Sequence, residues 1–158
     1  MENLSDLANR YQTLALDELF AADHQRCDNA WAEVEAALEK NNLNALARAW
    51  QRFDERTRAH LAMEEDVLFS AFERSTGITQ GPTRIMAIEH EQMRALLSGI
   101  ANQVATGNVL AVSNQGDTLL MLTQQHNQKE EAMLYPMATC ALQNEWPTLR
   151  AQLARYLA

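Results

Sequence analysis

The amino-acid sequence predicts an all-α protein, an antiparallel up-down-up-down four-helix bundle of two repeated helical hairpins with a short C-terminal helix. The 158 residues include only 5 Gly and 3 Pro, which leaves little material for the many tight turns of a β-sandwich or barrel. Hydrophobic residues make up 47% and charged residues 22%, which is the balance of a globular domain. Apolar residues also recur at helical spacing along four long segments. Long helices with short connections favour a bundle.

The first predicted hairpin runs from Asp17 to Arg74. Its first helix lies between Asp17 and Lys40, with an apolar stripe of Phe20, Cys27, Trp31, Val34 and Leu38. The segment Lys40-Asn41-Asn42 breaks that pattern and predicts a turn. The second helix runs from about Asn44 to Arg74, with a stripe of Leu46, Trp50, Phe53, Leu61, Val67, Leu68 and Phe72.

The second predicted hairpin follows a loop from Ser75 to Pro82, and Pro82 suits the first turn of a helix. The third helix carries Ile85, Met86, Met93, Leu96, Leu97, Ile100 and Val104 and stops at Gly107-Asn108. The fourth runs from about Val109 to Leu142, and Pro136 is expected to kink it or end it early. A short helix follows Pro147. We predict one domain over residues 1–158, with the core bundle at about 17–142.

The charge balance argues against two classes of partner. The chain has 13 basic and 21 acidic residues, a net charge of −8, so nucleic acid and anionic membrane surfaces are not expected to bind it. No apolar run approaches the roughly 20 residues that span a bilayer. The start of the chain lacks the basic and apolar regions of a secretory signal, which predicts a cytoplasmic protein. Cys27 and Cys140 are interpreted as two reduced thiols.

An internal repeat of 66 residues relates the two hairpins. The spacing from His24 to His90 (90 − 24) equals that from His60 to His126 (126 − 60). The same shift superposes Asp23 on Glu89, Glu64 on Glu130, Glu65 on Glu131, Phe69 on Tyr135, and the turn Asn41-Asn42 on Gly107-Asn108. The best-matched positions are polar residues inside apolar stripes, which helix packing alone does not require.

The predicted turns place the histidines at one level of the bundle. Residues equidistant from the turn of an antiparallel hairpin lie at the same height, and the midpoint of 24 and 60 is 42, a predicted turn residue. The midpoint of 90 and 126 is 108, the other turn. Each hairpin therefore brings two imidazoles level, and four are expected to meet in the middle of the bundle.

Two of the histidines have a glutamate four residues later, His60 with Glu64 and His126 with Glu130. Residues four apart lie on one face of a helix, so both side chains can reach one metal centre. Imidazole suits iron, copper and zinc, and a carboxylate can bridge two ions. Six ligands exceed the four that a single zinc takes, so the set predicts a dinuclear iron site. A metal-free bundle is the alternative, although burying six such groups without metal is costly.

The order His, His-x-x-x-Glu, His, His-x-x-x-Glu resembles the haemerythrin-like, or HHE cation-binding, domains over about Asp17 to Leu142. The resemblance implies two iron ions, oxo- or hydroxo-bridged, with terminal ligands His24, His60, His90 and His126 and bridging ligands Glu64 and Glu130. Oxygen-carrying haemerythrins have a fifth histidine where this chain has Arg94. The four-His, two-Glu set is more similar to bacterial di-iron proteins of nitric-oxide stress and iron-centre repair.

Three classes of function follow from this interpretation. The first is a small-ligand protein that binds dioxygen or nitric oxide at a vacant iron position, for storage, sensing or stress response. The second is a di-iron enzyme or repair factor that reduces nitric oxide or peroxide, or donates iron to damaged clusters. The third is a metal-free interaction bundle. A redox or client protein partner and the oligomeric state stay open.

Several residues near the expected ligands have a simpler interpretation. Asp23, Glu65, Glu89 and Glu131 adjoin the ligands in sequence and are expected to be solvated or paired with arginine, with a hydrogen bond to an imidazole as the alternative. Cys27 is interpreted as a core residue. Tyr135 could serve as a hydrogen-bond donor or redox-active phenol, but a ring in the core is favoured because its repeat mate is Phe69.

Overall fold

Long helices dominate residues 9–158, the part of the chain that the computed structural model describes. The α-helices beyond residue 15 are α1 (Leu16–Glu39), α2 (Leu43–Met63), α3 (Ser70–Thr76), α4 (Pro82–Ala105), α5 (Val109–Lys129), α6 (Tyr135–Ala141) and α7 (Trp146–Leu157). Two π-helical turns, Glu64–Phe69 and Glu130–Leu134, join α2 to α3 and α5 to α6. Residues 9–158 contain no strand, so the all-α prediction is confirmed.

The turns of the two hairpins use the same local chemistry. Asn42 caps α2 by accepting a hydrogen bond from the Ala45 N–H, and Asn108 caps α5 by accepting one from the Ala111 N–H. The residue before each cap has left-handed backbone, Asn41 with φ 48° and Gly107 with φ 69°. Helix α1 packs against α2, α4 against α5, and the two hairpins against each other, which forms the antiparallel bundle.

Two of the four long helices of the bundle, the one formed by α2 and α3 and the one formed by α5 and α6, are not α-helical throughout. Each changes to a π turn at its glutamate, Glu64 in one and Glu130 in the other, and then returns to α-helix. The two π turns begin 66 residues apart and so obey the repeat. Pro136 lies in the first turn of α6, and the helix continues past it to Ala141. The predicted end near Leu142 is therefore right, and the early end is not observed.

Two apolar clusters flank the level of the histidines. The turn cluster lies towards the hairpin turns and includes Trp31, Val34, Leu46, Phe53, Leu97, Ile100, Val112 and Leu119. The terminal cluster lies on the other side and includes Leu16, Phe20, Met63, Leu68, Phe72, Met86, Leu134, Tyr135, Leu149 and Leu153. Each long helix passes from one cluster to the other through its histidine, so the polar side chains are enclosed by apolar layers.

Helix α7 covers the terminal cluster. Its buried residues Leu149, Leu153 and Leu157 pack against the end of the bundle. Its last carbonyls accept hydrogen bonds from two arginines of the bundle, Arg56 to the Tyr156 carbonyl at 2.7 Å and Arg26 to the Leu157 carbonyl at 3.2 Å. None of the helices in the described part of the chain is long and apolar enough to cross a membrane.

Candidate metal centre

The four histidines meet in the interior of the bundle, one each from α1, α2, α4 and α5. All four side chains are buried. The rings of His24 and His60 are 4.6 Å apart between centroids, and those of His90 and His126 are 4.9 Å apart. Each hairpin thus contributes one level pair, as the turn midpoints predict. The Nε2 atoms of His90 and His126 approach to 3.2 Å.

The two fully buried glutamates lie between the histidine pairs. Glu64 Oε1 is 3.2 Å from His60 Nε2, and its Oε2 is 3.0 Å from His90 Nε2. Glu130 Oε1 is 3.3 Å from His24 Nε2 and 3.0 Å from His126 Nε2. Each carboxylate therefore contacts one histidine from each hairpin. This placement suits a group shared between two ions.

The donor atoms form two sets, within each of which all atoms lie within 4.8 Å of one another. One set contains His24 and His60, the other His90 and His126, and both contain Glu64 and Glu130. Ligands bonded at about 2.1 Å in adjacent positions of an octahedron are separated by about 3 Å. The Nε2-to-carboxylate distances of 3.0 to 3.3 Å match that spacing.

Three buried donor atoms, His60 Nε2, Glu64 Oε2 and Glu130 Oε2, make no hydrogen bond of proper geometry in the described part of the chain. Two of them do lie close to another donor, His60 Nε2 to Glu64 Oε1 at 3.2 Å and Glu64 Oε2 to His90 Nε2 at 3.0 Å, but without the angles of a hydrogen bond. A buried polar atom left unpaired costs free energy of about 1–3 kcal/mol. A bound cation would satisfy all three atoms, so the donor set fits a metal centre.

Without metal, the same groups compensate one another's charge. Burial lowers the pKa of His60, but the charge of Glu64 and the hydrogen bond with Asp23 outweigh burial and hold it well above its usual range. Burial raises the pKa of Glu64, yet His60 and His90 hold it well below its usual range. In the absence of metal, the contacts between His60 and Glu64 therefore favour the charged form of both side chains.

Each of the four histidines donates a hydrogen bond from its Nδ1 to a carboxylate that does not belong to the donor sets. The Nδ1 of His60 is 2.8 Å from Asp23, and the Nδ1 of His126 is 2.7 Å from Glu89. Asp23 directly precedes His24, and Glu89 directly precedes His90, so each carboxylate comes from the other helix of the same hairpin. The bonds fix the ring orientation and direct Nε2 into the centre.

The other two histidines use the residue that follows the buried glutamate. The Nδ1 of His24 is 2.8 Å from Glu131, and the Nδ1 of His90 is 2.8 Å from Glu65. The sequence favoured solvation or arginine pairing for these acidic residues and offered a hydrogen bond to an imidazole as the alternative. The structure confirms the alternative for all four, Asp23, Glu65, Glu89 and Glu131. Arginine pairing is also present, since Glu65 binds Arg94.

The family model of the hemerythrin HHE cation-binding domain matches residues 15–138, more than half of the chain. The chain belongs to the haemerythrin HHE family. The membership confirms the resemblance predicted from the His and His-x-x-x-Glu order, and it implies metal binding, typically of iron, in this domain. Comparison with curated proteins and with solved structures gives no match for the chain.

Arg94 occupies one of the positions at which this sequence differs from the oxygen-carrying haemerythrins considered above; the other is Glu130, where those proteins have an Asp. Arg94, one turn after His90, does not contact the donor atoms. Its guanidinium binds both oxygens of Glu65 at 2.9 Å and Glu91 at 2.7 Å. It therefore holds the carboxylate that orients His90, and it contributes no nitrogen ligand because a guanidinium has no free lone pair.

Tyr135 is a buried core residue, as expected, but its hydroxyl also lies in the centre. The Oη is 3.0 Å from His24 Nε2 and 3.3 Å from Glu130 Oε1, and it donates a hydrogen bond to Glu64. Burial and the charges of Glu130 and Glu64 hold the pKa of the phenol well above its usual range. The repeat obscured this role because the equivalent residue is Phe69.

A narrow cavity of about 20 Å³ lies beside His24 and His60, on the side of the turn cluster. Its wall includes Cys27, Trp31, Phe53, Thr57 and Met93. A volume of this size holds one water-sized molecule. Cys27 is thus a buried wall residue, which agrees with the core interpretation, and it is a free thiol.

Proposed function

We propose that this haemerythrin-type domain is a non-haem di-iron protein that binds a small diatomic ligand, dioxygen or nitric oxide, for storage, sensing or stress response. The observation that carries the proposal is the pair of donor sets that share Glu64 and Glu130. In this assignment His24 and His60 hold one iron, His90 and His126 hold the other, and both glutamates bridge.

The chemistry of the donors supports iron. They are imidazoles and carboxylates without sulfur, a combination that suits iron and does not suit Fe–S clusters. Six donors also exceed what a single zinc takes. Ferrous iron in such a site would supply electrons and open positions for a diatomic ligand.

The protein's own residues provide the conditions for selective binding of a small molecule. The outer carboxylates hold each imidazole in one orientation, so little reorganisation is required when the metal changes charge. The turn cluster and the terminal cluster exclude bulk water from the histidine level. The cavity of about 20 Å³ beside His24 and His60 has room for one molecule of about the size of water, which favours a very small ligand.

Rapid mixing of the reduced, iron-loaded protein with dioxygen and with nitric oxide tests this proposal. We expect a spectral change that saturates at one ligand per chain and reverses when the ligand is removed. The same experiment on Glu64→Gln, which disrupts the shared carboxylate, should show a weaker or absent change. Repeated consumption of nitric oxide or peroxide in the presence of a reductant would instead establish the enzyme alternative, and no spectral change would contradict ligand binding.

A further inference from the structure

The aromatic residues at the ends of the two π turns, Phe69 and Tyr135, break the symmetry of the centre. Phe69 closes the first turn, and its ring stacks on His90 with a centroid distance of 5.4 Å. Its repeat mate Tyr135 lies 5.6 Å from the ring of His24. The two rings occupy corresponding positions at the two donor sets, but only Tyr135 carries an oxygen. His24 therefore has a phenol oxygen beside it, whereas the corresponding ring beside His90 is a hydrocarbon.

The hydroxyl of Tyr135 contacts three donors, the two shared glutamates and one histidine, and that histidine, His24, belongs to the His24–His60 set. The contacts are His24 Nε2 at 3.0 Å, Glu130 Oε1 at 3.3 Å, and Glu64 Oε1, to which the phenol donates. Members of the same set are separated by similar distances, 3.2 Å from His60 Nε2 to Glu64 Oε1 and 3.3 Å from His24 Nε2 to Glu130 Oε1. The phenol oxygen is thus placed like one more donor of that set.

We propose that Tyr135 is a seventh protein ligand, whose oxygen binds the iron held by His24 and His60. This inference rests on the proposed di-iron centre. When the metal–oxygen bond forms, the O–H bond breaks and its proton leaves to solvent, as happens when a thiol binds a metal. One iron then has five protein donors and the other has four, so the two metal positions are unequal.

The inequality has consequences for ligand binding and redox behaviour. Tyr135 belongs to the terminal cluster, whereas the cavity beside His24 and His60 lies on the side of the turn cluster, so the phenol leaves the cavity free. An anionic oxygen donor stabilises ferric iron more than ferrous iron. Tyr135 is therefore expected to lower the reduction potential of the iron that it binds.

Resonance Raman and visible absorption spectra of the ferric, iron-loaded full chain test the proposal. A phenolate bound to ferric iron gives a charge-transfer band in the visible region, and excitation in that band enhances tyrosine ring vibrations. We expect both features in the wild type. Tyr135→Phe should lose both while it keeps two irons, and its reduction potential should rise. The control Tyr156→Phe, which removes a phenol of α7 bound to Asp66, should keep both features.

The outcomes distinguish this inference from the function on which it rests. If the wild-type protein holds two irons but shows no tyrosine vibrations, Tyr135 is only a hydrogen-bond donor. That result overturns the inference and leaves the di-iron centre intact. A chain that takes up no iron overturns both. The wild-type spectrum alone decides between ligand and donor, so the test does not depend on the folding of Tyr135→Phe.

Discussion

At the scale of single residues, the centre depends on carboxylates that do not belong to the donor sets. Glu89 accepts from His126 Nδ1 and is also bound by Lys129. Each such pair raises the basicity of the imidazole and removes its rotational freedom. The four pairs differ in exposure, from Asp23, which is fully buried, to Glu131, whose side chain is 47% exposed.

Glu89→Gln is expected to weaken iron binding by about 10–100-fold, because the amide is a poorer partner for the imidazole of His126. A matched control is Glu91→Gln on the same helix, whose side chain is 76% exposed and binds only Arg94 among the contacts described. Competition with a chelator of known affinity measures both variants. Equal iron affinities for Glu89→Gln and Glu91→Gln would contradict an orienting role for Glu89.

Removal of one shared carboxylate should affect both metal positions. Glu64 contacts His60 with one oxygen and His90 with the other, so Glu64→Ala is expected to lose both irons together. Iron analysis after gel filtration measures the number retained per chain. A variant that keeps one tightly bound iron would indicate two independent mononuclear sites.

At the scale of elements, the two π turns explain how helices of ordinary sequence present the glutamates. A π turn inserts an extra residue into the helical repeat and is common at functional sites. Both turns begin at the buried glutamate. Glu64 contacts His90 Nε2 in the centre, and Glu65, the next residue of the turn, contacts His90 Nδ1 on the other side of the ring.

A glycine of α5 lets the hairpins pack closely. A Cβ on Gly116 would lie 2.6 Å from the buried indole of Trp31. Gly116→Ala is therefore expected to lower the free energy of unfolding by up to about 2 kcal/mol, because overpacking outweighs the better helix propensity of alanine. Urea denaturation of the iron-free protein measures this.

The control is Gly99→Ala in α4, where the nearest atom to the added Cβ is Gln115 Oε1 at 3.7 Å. That variant should raise the free energy of unfolding by up to about 1 kcal/mol through helix propensity alone. If both alanine variants stabilise the protein alike, the contact between Trp31 and α5 does not limit the packing.

The sequence predicted the helices and the meeting of the histidines, because both follow from periodicity and from the position of the turns. Asn42 and Asn108 mark the turns as expected. The π turns were not predicted, since a shift of backbone hydrogen bonds leaves no apolar pattern. Pro136 predicted a disturbance of the fourth helix near the second π turn, but no proline marks the first π turn.

The roles of the outer residues depend on side-chain direction, which the sequence does not specify. Tyr135 was assigned by analogy with Phe69, although the two differ by the one oxygen that reaches the donors. Glu65 and Glu131 were judged from their angle on an ideal α-helix, and the π turn changes that angle. Iron ligation by the six residues and the cytoplasmic location stay predictions.

At the scale of the whole molecule, the stability of the iron-free and iron-loaded forms should depend differently on pH. Burial lowers the pKa of His90, but hydrogen bonds with Glu64 and Glu65 outweigh it and raise the pKa from 6.5 to about 9. Its stabilising contribution is fully present below pH 6.5 and is lost as pH rises through 9. Burial raises the pKa of Glu65, but His90 and Arg94 lower it from 4.5 to about 2. That contribution is present above pH 4.5 and is lost as pH falls through 2.

The iron-free protein is therefore expected to have its highest Tm between about pH 4.5 and 6.5 and to lose stability towards pH 9. Iron requires neutral imidazoles, so the increase in Tm that iron produces should grow over the same rise in pH. Differential scanning calorimetry of both forms from pH 5 to 9 measures this. An iron-free protein whose Tm rises steadily towards pH 9 would contradict the raised pKa of His90.

The number of irons per chain tests the central claim most directly. Anaerobic titration of the iron-free protein with ferrous iron, followed by the metal content after desalting, counts the positions. Because the two donor sets share Glu64 and Glu130, we expect tight uptake that ends at two irons per chain, with little accumulation of a one-iron form. An endpoint at one iron, or no tight uptake, would contradict a dinuclear centre built from these six side chains.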